Sequence, residues 1–279
     1  MNLARAENFW LDRRWMALFV VLGALLLMGF YAVTDGSHLA NNAALSGADW
    51  VGAGICHRLP SHSFTIYGRP LPLCARCTGI YLGVLLSFLV LGLAGRWRRV
   101  NMPPTLILLT LIGFVGLMGV DGVNSYMHFF PNLPHVYEPR NWLRLVTGMG
   151  AGLTMGVLVF PALAQTLWRQ QDFQPVLASG RELAGLVLAA ATAVALILSS
   201  QPTLLYVLAL VSAAGVLLIL TAINAVILLI ILRRDGRAAR WQDTIIPLTI
   251  ALFLAVAQVT AVAWLRLTIL GTISGFPGL

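Results

Sequence analysis

Seven long apolar segments constrain the fold of this chain more than any other feature of its sequence. A membrane-spanning helix needs about 20 predominantly apolar residues. Of the 279 residues, 59% are hydrophobic and only 10% are charged, whereas a soluble domain carries about 25% charged residues. The sequence therefore predicts an all-α polytopic membrane bundle of about seven transmembrane helices, with the lipid bilayer around it. The predicted spans are 15–33, 78–95, 104–120, 142–163, 183–200, 204–232 and 244–270.

The arginines predict how the bundle is oriented. All 18 basic residues are arginines, and they cluster in alternate loops beside the ends of the apolar segments. An orientation with the N-terminus in the cytoplasm puts twelve of them inside and six outside, as the positive-inside rule requires. We therefore predict a multi-pass protein of the cell membrane whose C-terminus is extracytoplasmic. Because the arginines form no stripe on a soluble face, a nucleic acid partner is not expected.

The predicted spans divide the chain into two regions. The first four spans form two hairpins with long outer loops, 34–77 and 121–141, and long ordered loops are usually functional. The N-terminal membrane region, 1–163, contains both loops. The C-terminal region, 164–279, is a bundle of three helices with short outer connections and few strongly polar residues. We therefore expect the functional site to be built by the N-terminal region.

The second helix of each predicted hairpin begins with the same small-residue pattern. RCTGIYLG contains Gly79 and Gly83, and RLVTGMGAG contains Gly148 and Gly152, four residues apart in both cases. Glycines at this spacing allow two helix backbones to approach closely in lipid. The pattern predicts that these two helices pack against each other and bring the two outer loops together.

The first outer loop contains all three cysteines of the chain, Cys56, Cys74 and Cys77, together with His57 and His62. The Cys-x-x-Cys spacing lets two thiolates face one ion, and three thiolates with one imidazole suit tetrahedral zinc. We predict a zinc site formed by Cys56, His57, Cys74 and Cys77. Adjacent residues rarely bind one ion together, so His62 or a water is the alternative to His57 as the fourth ligand.

Two other functions compete with the metal site. A Cys-x-x-Cys pair outside the membrane also suits a thiol–disulfide oxidoreductase that uses Cys74 and Cys77, with a quinone pocket among the helices. The third cysteine favours a metal, because a redox relay needs a second pair. A transporter would place polar groups at the middle of the membrane, whereas most of them here lie at its predicted outer edge.

The second outer loop adds polar residues close to the ends of two spans. Asp121 and Asn124 follow the third span, and Asn141 and Arg144 begin the fourth. Ionisable groups at membrane depth tend to pair and to mark a site. We predict that these four residues form a catalytic cluster, in which Arg144 pairs with Asp121 or Glu138 and holds the anionic charge of a lipid-like or other small-molecule substrate.

These motifs resemble the signature of a family of bacterial and archaeal polytopic membrane proteins known only as a domain of unknown function. The family shows a Cys-His pair, a downstream Ser-Phe and PLCARCTGIY-x-G, which correspond here to Cys56-His57, Ser63-Phe64 and residues 72–83. An Asp-Gly, an Asn-x-x-Arg and a Thr-Gly follow in both, whereas a Gln and a Ser of the family are replaced here by Asn124 and Arg140. The resemblance covers roughly residues 50–160. It implies a shared site but no known activity.

Overall fold

A computed structural model describes residues 40, 42–128, 130 and 136–275. The first predicted span, 15–33, lies outside these residues, as does the predicted orientation of the N-terminus. The described part of the chain is mostly helical and contains seven helices, of which six are long and apolar enough to cross a membrane. These six confirm the predicted all-α membrane fold.

The helices are numbered from the first one described. They are α1 Ala43–Ala53, α2 Ala75–Leu93, α3 Thr105–Met127, α4 Asn141–Leu167, α5 Gly180–Leu198, α6 Pro202–Ile231 and α7 Trp241–Leu270. Four short strands form two small sheets: β1 Thr65–Ile66 pairs antiparallel with β2 Arg69–Pro70, and β3 Arg99–Asn101 pairs parallel with β4 Asp172–Pro175. A 3-10 turn spans Pro60–His62.

Helices α2 to α7 coincide with the second to seventh predicted spans, and the largest difference is at the end of α3. The predicted span ends at residue 120, whereas α3 continues through Asp121 and Asn124 to Met127. Asp121 does not end the helix, because the carboxylate is buried within the protein and forms an ion pair with an arginine of α2. The short helix α1, within the predicted outer loop 34–77, was not expected. Its N-cap, Asn42, accepts a hydrogen bond from the Ala44 N–H (2.8 Å).

Helices α2 and α4 form the centre of the bundle, as the glycine pattern predicts. A Cβ at Gly83 would lie 2.6 Å from the Met149 carbonyl oxygen, and Cβ atoms at Gly148 and Gly152 would overlap the carbonyls of α2. The contact is therefore reciprocal, and each helix uses its glycines to admit the backbone of the other. The Ser87 hydroxyl strengthens the contact by donating to the Leu153 carbonyl (3.1 Å).

The bundle has two ends with different contents. The cysteine end consists of α1, the loop 54–74, the start of α2, the end of α3, the start of α4 and the end of α7. The opposite end contains the β3–β4 sheet and the loop 232–240 between α6 and α7. Helices α3 and α5 are mostly exposed along their length, so their apolar side chains are available to lipid.

Candidate metal centre

The three cysteines meet at the cysteine end, where their Sγ atoms lie within 4.8 Å of one another. Cys56 follows the end of α1, Cys74 is the N-cap of α2, and Cys77 lies in the first turn of that helix. Cys56 and Cys74 are buried, Cys77 is half-buried, and all three thiols are free. Three cysteine sulfurs at this separation could hold a metal ion.

Backbone N–H groups are directed at the Cys56 sulfur. Arg58 N–H donates to Cys56 Sγ at 3.4 Å, and Cys74 N–H donates to the same atom at 3.3 Å. Arg58 has a left-handed backbone (φ 54°) in this turn. Hydrogen bonds from the Cys74 and Cys77 thiols lower the pKa of Cys56 well below its usual range. The hydrogen bond with Cys56 raises the pKa of Cys74 to about 12. Cys56 is therefore the sulfur most favoured as a thiolate.

The two loop histidines lie at the edge of the cysteine cluster. His57 Nδ1 is 3.9 Å from Cys56 Sγ, and His57 Nε2 is 3.3 Å from His62 Nδ1. In the part of the chain that the structure describes, no imidazole nitrogen lies within 4.8 Å of all three sulfurs. Burial, together with the positive charges of Arg144 and His57, lowers the pKa of His62 to about 4, so this ring is neutral at neutral pH.

Arg266 of α7 holds the backbone of the cysteine loop. Its guanidinium donates to the Cys56 carbonyl at 2.6 Å, to the His57 carbonyl at 2.8 Å and to the Gly275 carbonyl at 2.6 Å. This contact could not be predicted from the sequence, because one arginine near the end of an apolar helix is most often solvated. The C-terminal region therefore contributes directly to the surroundings of the cysteines.

Asp49 of α1 is held by two arginines of the loop. Arg58 Nη2 lies 2.5 Å from Asp49 Oδ1, and Arg69 Nη2 lies 2.6 Å from Asp49 Oδ2. Asp49 and Arg58 are both buried, so this ion-pair group fixes the loop on α1. Sequence reasoning missed it because α1 itself was not predicted.

Asp121 is the centre of a second buried polar group. Its exposed fraction is 1%, and its carboxylate forms an ion pair with Arg76 of α2 and accepts a hydrogen bond from the Tyr137 hydroxyl (3.0 Å). The Thr147 hydroxyl lies 3.4 Å from the second carboxylate oxygen. Burial and the Asp121 carboxylate raise the pKa of Tyr137, so its hydroxyl remains a donor.

The pairing of Asp121 differs from the predicted one. Its ionic partner is Arg76, and among the described residues no carboxylate lies within 4.0 Å of the Arg144 guanidinium. Glu138, the alternative predicted partner, lies 3.8 Å from His128. The close packing of α2 on α4 explains the difference, because it directs the first turn of α2 toward the end of α3.

The remaining predicted cluster residues connect the two loops. Asn124 Oδ1 accepts from the Val136 N–H (2.7 Å), and Asn124 Nδ2 donates to the Tyr137 carbonyl (2.8 Å). Asn141 accepts a hydrogen bond from Arg144 (2.8 Å), and its amide lies 3.3 Å from the Ser61 carbonyl of the cysteine loop. All four predicted residues therefore lie at the cysteine end, where the two asparagines bind loop backbone.

The fold and this site define a polytopic helical membrane protein with a buried three-cysteine cluster at one end of its bundle. The chain belongs to the family described as "Predicted membrane protein (DUF2085)", which it matches over residues 56–158. This confirms the resemblance noted in the sequence. Helices α5, α6 and α7 lie beyond the matched residues.

Two archaeal relatives support the assignment. The chain is 36% identical over 104 residues to an uncharacterized protein of Methanothermobacter thermautotrophicus, a match that covers 37% of this chain and 83% of that protein. It is 31% identical over 116 residues to an uncharacterized protein of Methanocaldococcus jannaschii, a match that covers 42% of this chain and 68% of that protein. No solved structure matches the chain.

Proposed function

We propose that this membrane protein binds one zinc ion through the thiolates of Cys56, Cys74 and Cys77, beside a polar cluster that binds a lipid-like substrate. The observation that carries the proposal is the mutual approach of the three sulfurs to within 4.8 Å. Tetrahedral zinc with Zn–S bonds of about 2.3 Å needs sulfurs about 3.8 Å apart. A small inward movement of the side chains is enough to reach that geometry.

The charges around the cysteines support an anionic centre. Arg58 and Arg69 share the single carboxylate of Asp49, and Arg76 pairs with Asp121. Arg144 is 5% exposed and has no carboxylate within 4.0 Å in the described residues. Buried cations are stable only when they are compensated. Three thiolates and one divalent ion carry a net negative charge, so a zinc centre would offset part of this excess of positive charge.

We propose His57 as the fourth ligand. Its Nδ1 faces Cys56 Sγ at 3.9 Å, and its Nε2 faces His62 at 3.3 Å. A metal-bound imidazole almost always donates its other N–H to an acceptor, which fixes the ring, and neutral His62 offers that acceptor. The zinc then fixes the cysteine loop, whose Ser61 carbonyl lies 3.3 Å from the Asn141 amide.

Metal analysis of the purified protein and of matched variants tests this proposal. We expect one zinc per chain in the parent protein and less than one tenth of that in Cys56→Ser. His128→Ala is the control, since His128 lies near Glu138 and away from the three sulfurs, and it should keep its zinc. A metal-free parent protein whose Cys74 and Cys77 together lack two hydrogens by mass spectrometry would overturn the proposal.

That last result is the signature of the second candidate, a thiol–disulfide oxidoreductase. The position of Cys74 and Cys77 at the N-terminus of α2 favours it, because a helix N-terminus stabilises thiolates. A cavity of about 640 Å³ near Gly92 and Trp97 has room for a quinone. Its α2 residues begin at Leu85, about 12 Å or more along the helix from Cys77, so a quinone there would not contact the thiols. The zinc proposal therefore has the stronger support.

Transport is less well supported than either candidate. In the part of the C-terminal region that the structure describes, Asn224 and Gln258 bind each other through two amide hydrogen bonds of 3.0 and 3.2 Å. This pair satisfies its own polar groups across α6 and α7, as interhelical amides do in membrane proteins. It therefore offers no pathway for a polar solute.

We further propose that the cysteine end faces the outside of the cell. The support is the excess of arginines at the opposite end, which the positive-inside rule assigns to the cytoplasm. Alkaline phosphatase fused after residue 45 should be active, and the same enzyme fused after residue 100 should be inactive. The reverse pattern would place the cysteines in the reducing cytoplasm.

A further inference from the structure

Arg144 is a buried cation that uses few of the hydrogen-bond donors of its guanidinium group. The side chain is 5% exposed, it donates to the neutral Asn141 Oδ1 at 2.8 Å, and its Nε is buried without a hydrogen-bond partner. Arg76 also has a buried Nε without a partner, although its Nη2 is paired with Asp121. Guanidinium groups form their strongest hydrogen bonds with carboxylate and phosphate. The two arginines therefore have donors available for an anion.

An apolar groove begins one helical turn from Arg144. It has a volume of about 380 Å³ and lies between α3, α4 and α5, with a lining that includes Phe114, Leu117, Ala191 and Val194. Because α3 and α5 are mostly exposed, a lipid chain can enter this groove sideways from the bilayer. Its dimensions and lining suit a hydrocarbon chain.

Thr147 joins the groove to the charged cluster. It is the only lining residue with a hydroxyl group among those that the structure describes, and that hydroxyl lies 3.4 Å from Asp121 Oδ2 and 3.3 Å from the Arg144 carbonyl. Gly148, the next residue, packs against the Arg76 carbonyl. Thr147 therefore lies between the apolar groove and the Arg76–Asp121 pair, one helical turn along α4 from Arg144.

We propose that the substrate is a phosphorylated lipid whose chain lies in this groove and whose phosphate is bound by Arg144 together with Arg76. The proposal rests on the proposed function for the role of the polar cluster, but it does not require the metal. A phosphate is favoured over a carboxylate because it has enough oxygen atoms to accept hydrogen bonds from two guanidinium groups at once.

Calorimetric titration of the full-length protein in a zwitterionic detergent tests the proposal with dodecyl phosphate as the probe. We expect dodecanol, inorganic phosphate and dodecanoate each to bind at least tenfold more weakly, because each lacks part of the recognised structure. Equal binding of dodecanol or dodecanoate would overturn the phosphate assignment, and equal binding of inorganic phosphate would overturn the role of the lipid chain.

Two matched pairs of variants locate the site. Arg144→Gln should weaken binding of dodecyl phosphate at least tenfold, whereas Arg140→Gln, an exposed arginine one turn earlier, should match the parent protein. Ala191→Phe fills the groove from an exposed position and should weaken binding at least tenfold, whereas Ala184→Phe on the same helix should not. Unchanged binding in either Arg144→Gln or Ala191→Phe would overturn the proposal, even if the other variant fails to fold.

The same titration separates this inference from the zinc proposal. Cys56→Ser should lose the metal and still bind dodecyl phosphate within tenfold of the parent protein. A zinc-free parent protein that binds dodecyl phosphate would contradict the proposed metal centre alone. A zinc-containing parent protein that does not bind the probe would contradict the lipid site alone.

Discussion

Within the described ranges of the chain, the cysteine end of the bundle contains two buried arginines, whereas most of the arginines at the opposite end are exposed. Arg58 and Arg144 have exposed fractions of 6% and 5%, and the guanidinium of Arg58 pairs with buried Asp49. The exposed arginines of the opposite end are Arg169, Arg181, Arg233, Arg234, Arg237 and Arg240. Exposed arginines beside apolar helices orient a protein in the membrane, but they build no enclosed site.

The difference shows what a buried arginine requires. At the cysteine end, Arg58 pairs with the Asp49 carboxylate, and the Arg266 guanidinium donates to the Cys56 and His57 carbonyls. At the opposite end, the Arg99–Asp172 ion pair is 3.5 Å long and partly exposed. Buried ion pairs resist the removal of one partner, whereas exposed pairs contribute little. The two ends should therefore respond differently to the same substitutions.

The largest expected difference is between the two aspartates. Asp121→Ala leaves Arg76 without its carboxylate at a buried site, and we expect a loss of about 3–5 kcal/mol in the free energy of unfolding. Asp172→Ala removes an exposed partner and should change that free energy by about 1 kcal/mol or less. Unfolding of detergent-solubilised protein by a denaturing detergent measures both. Similar losses in the two variants would show that the ends are not energetically different.

A double-mutant cycle sharpens the assignment of partners at the cysteine end. Arg76→Gln and Asp121→Asn should be coupled by about 0.5–3 kcal/mol, because each leaves the other's charge unpaired. The combination of Arg144→Gln with Asp121→Asn serves as the comparison, and we expect a smaller coupling than for the first pair. A larger coupling for Arg144 would restore the pairing that the sequence predicted.

A smaller effect is expected for Arg266, whose guanidinium donates to backbone carbonyls of the cysteine loop. Arg266→Gln should weaken zinc binding about tenfold, as the loss of outer contacts around metal ligands commonly does. Arg237→Gln, at the opposite end, should leave zinc affinity unchanged. Competition with a chelator of known affinity measures both values. Equal zinc affinities in the two variants would show that α7 does not support the metal centre.

The parts of this structure that follow local rules could be predicted from the sequence. Apolar length predicts α2 to α7, and the four-residue spacing of Gly79 and Gly83 predicts the close contact of α2 with α4. The ion pair of Arg76 with Asp121 and the contact of Arg266 with Cys56 could not be predicted in this way. These partners are separated by 45 and 210 residues, and a single arginine near a span end has the same local pattern whether it is solvated or paired.

The cysteine cluster combines features that the sequence predicts with features that depend on the fold. Their spacing alone predicts that Cys74 and Cys77 lie together at one end of a helix, and the fold adds Cys56 to them. The sequence did not predict how the loop is held, because Asp49 lies on α1, a short helix without a strong periodic signal. The position of His57, outside the group of three mutually close sulfurs, is equally hard to infer, because it depends on the conformation of the loop and not on residue spacing.

X-ray absorption at the zinc edge of the purified protein tests the central claim most directly, since it reports the ligands of the bound ion. We predict three sulfur atoms at about 2.3 Å and one nitrogen at about 2.0–2.1 Å from zinc. A spectrum with only oxygen and nitrogen ligands, or a protein without zinc, would contradict the account.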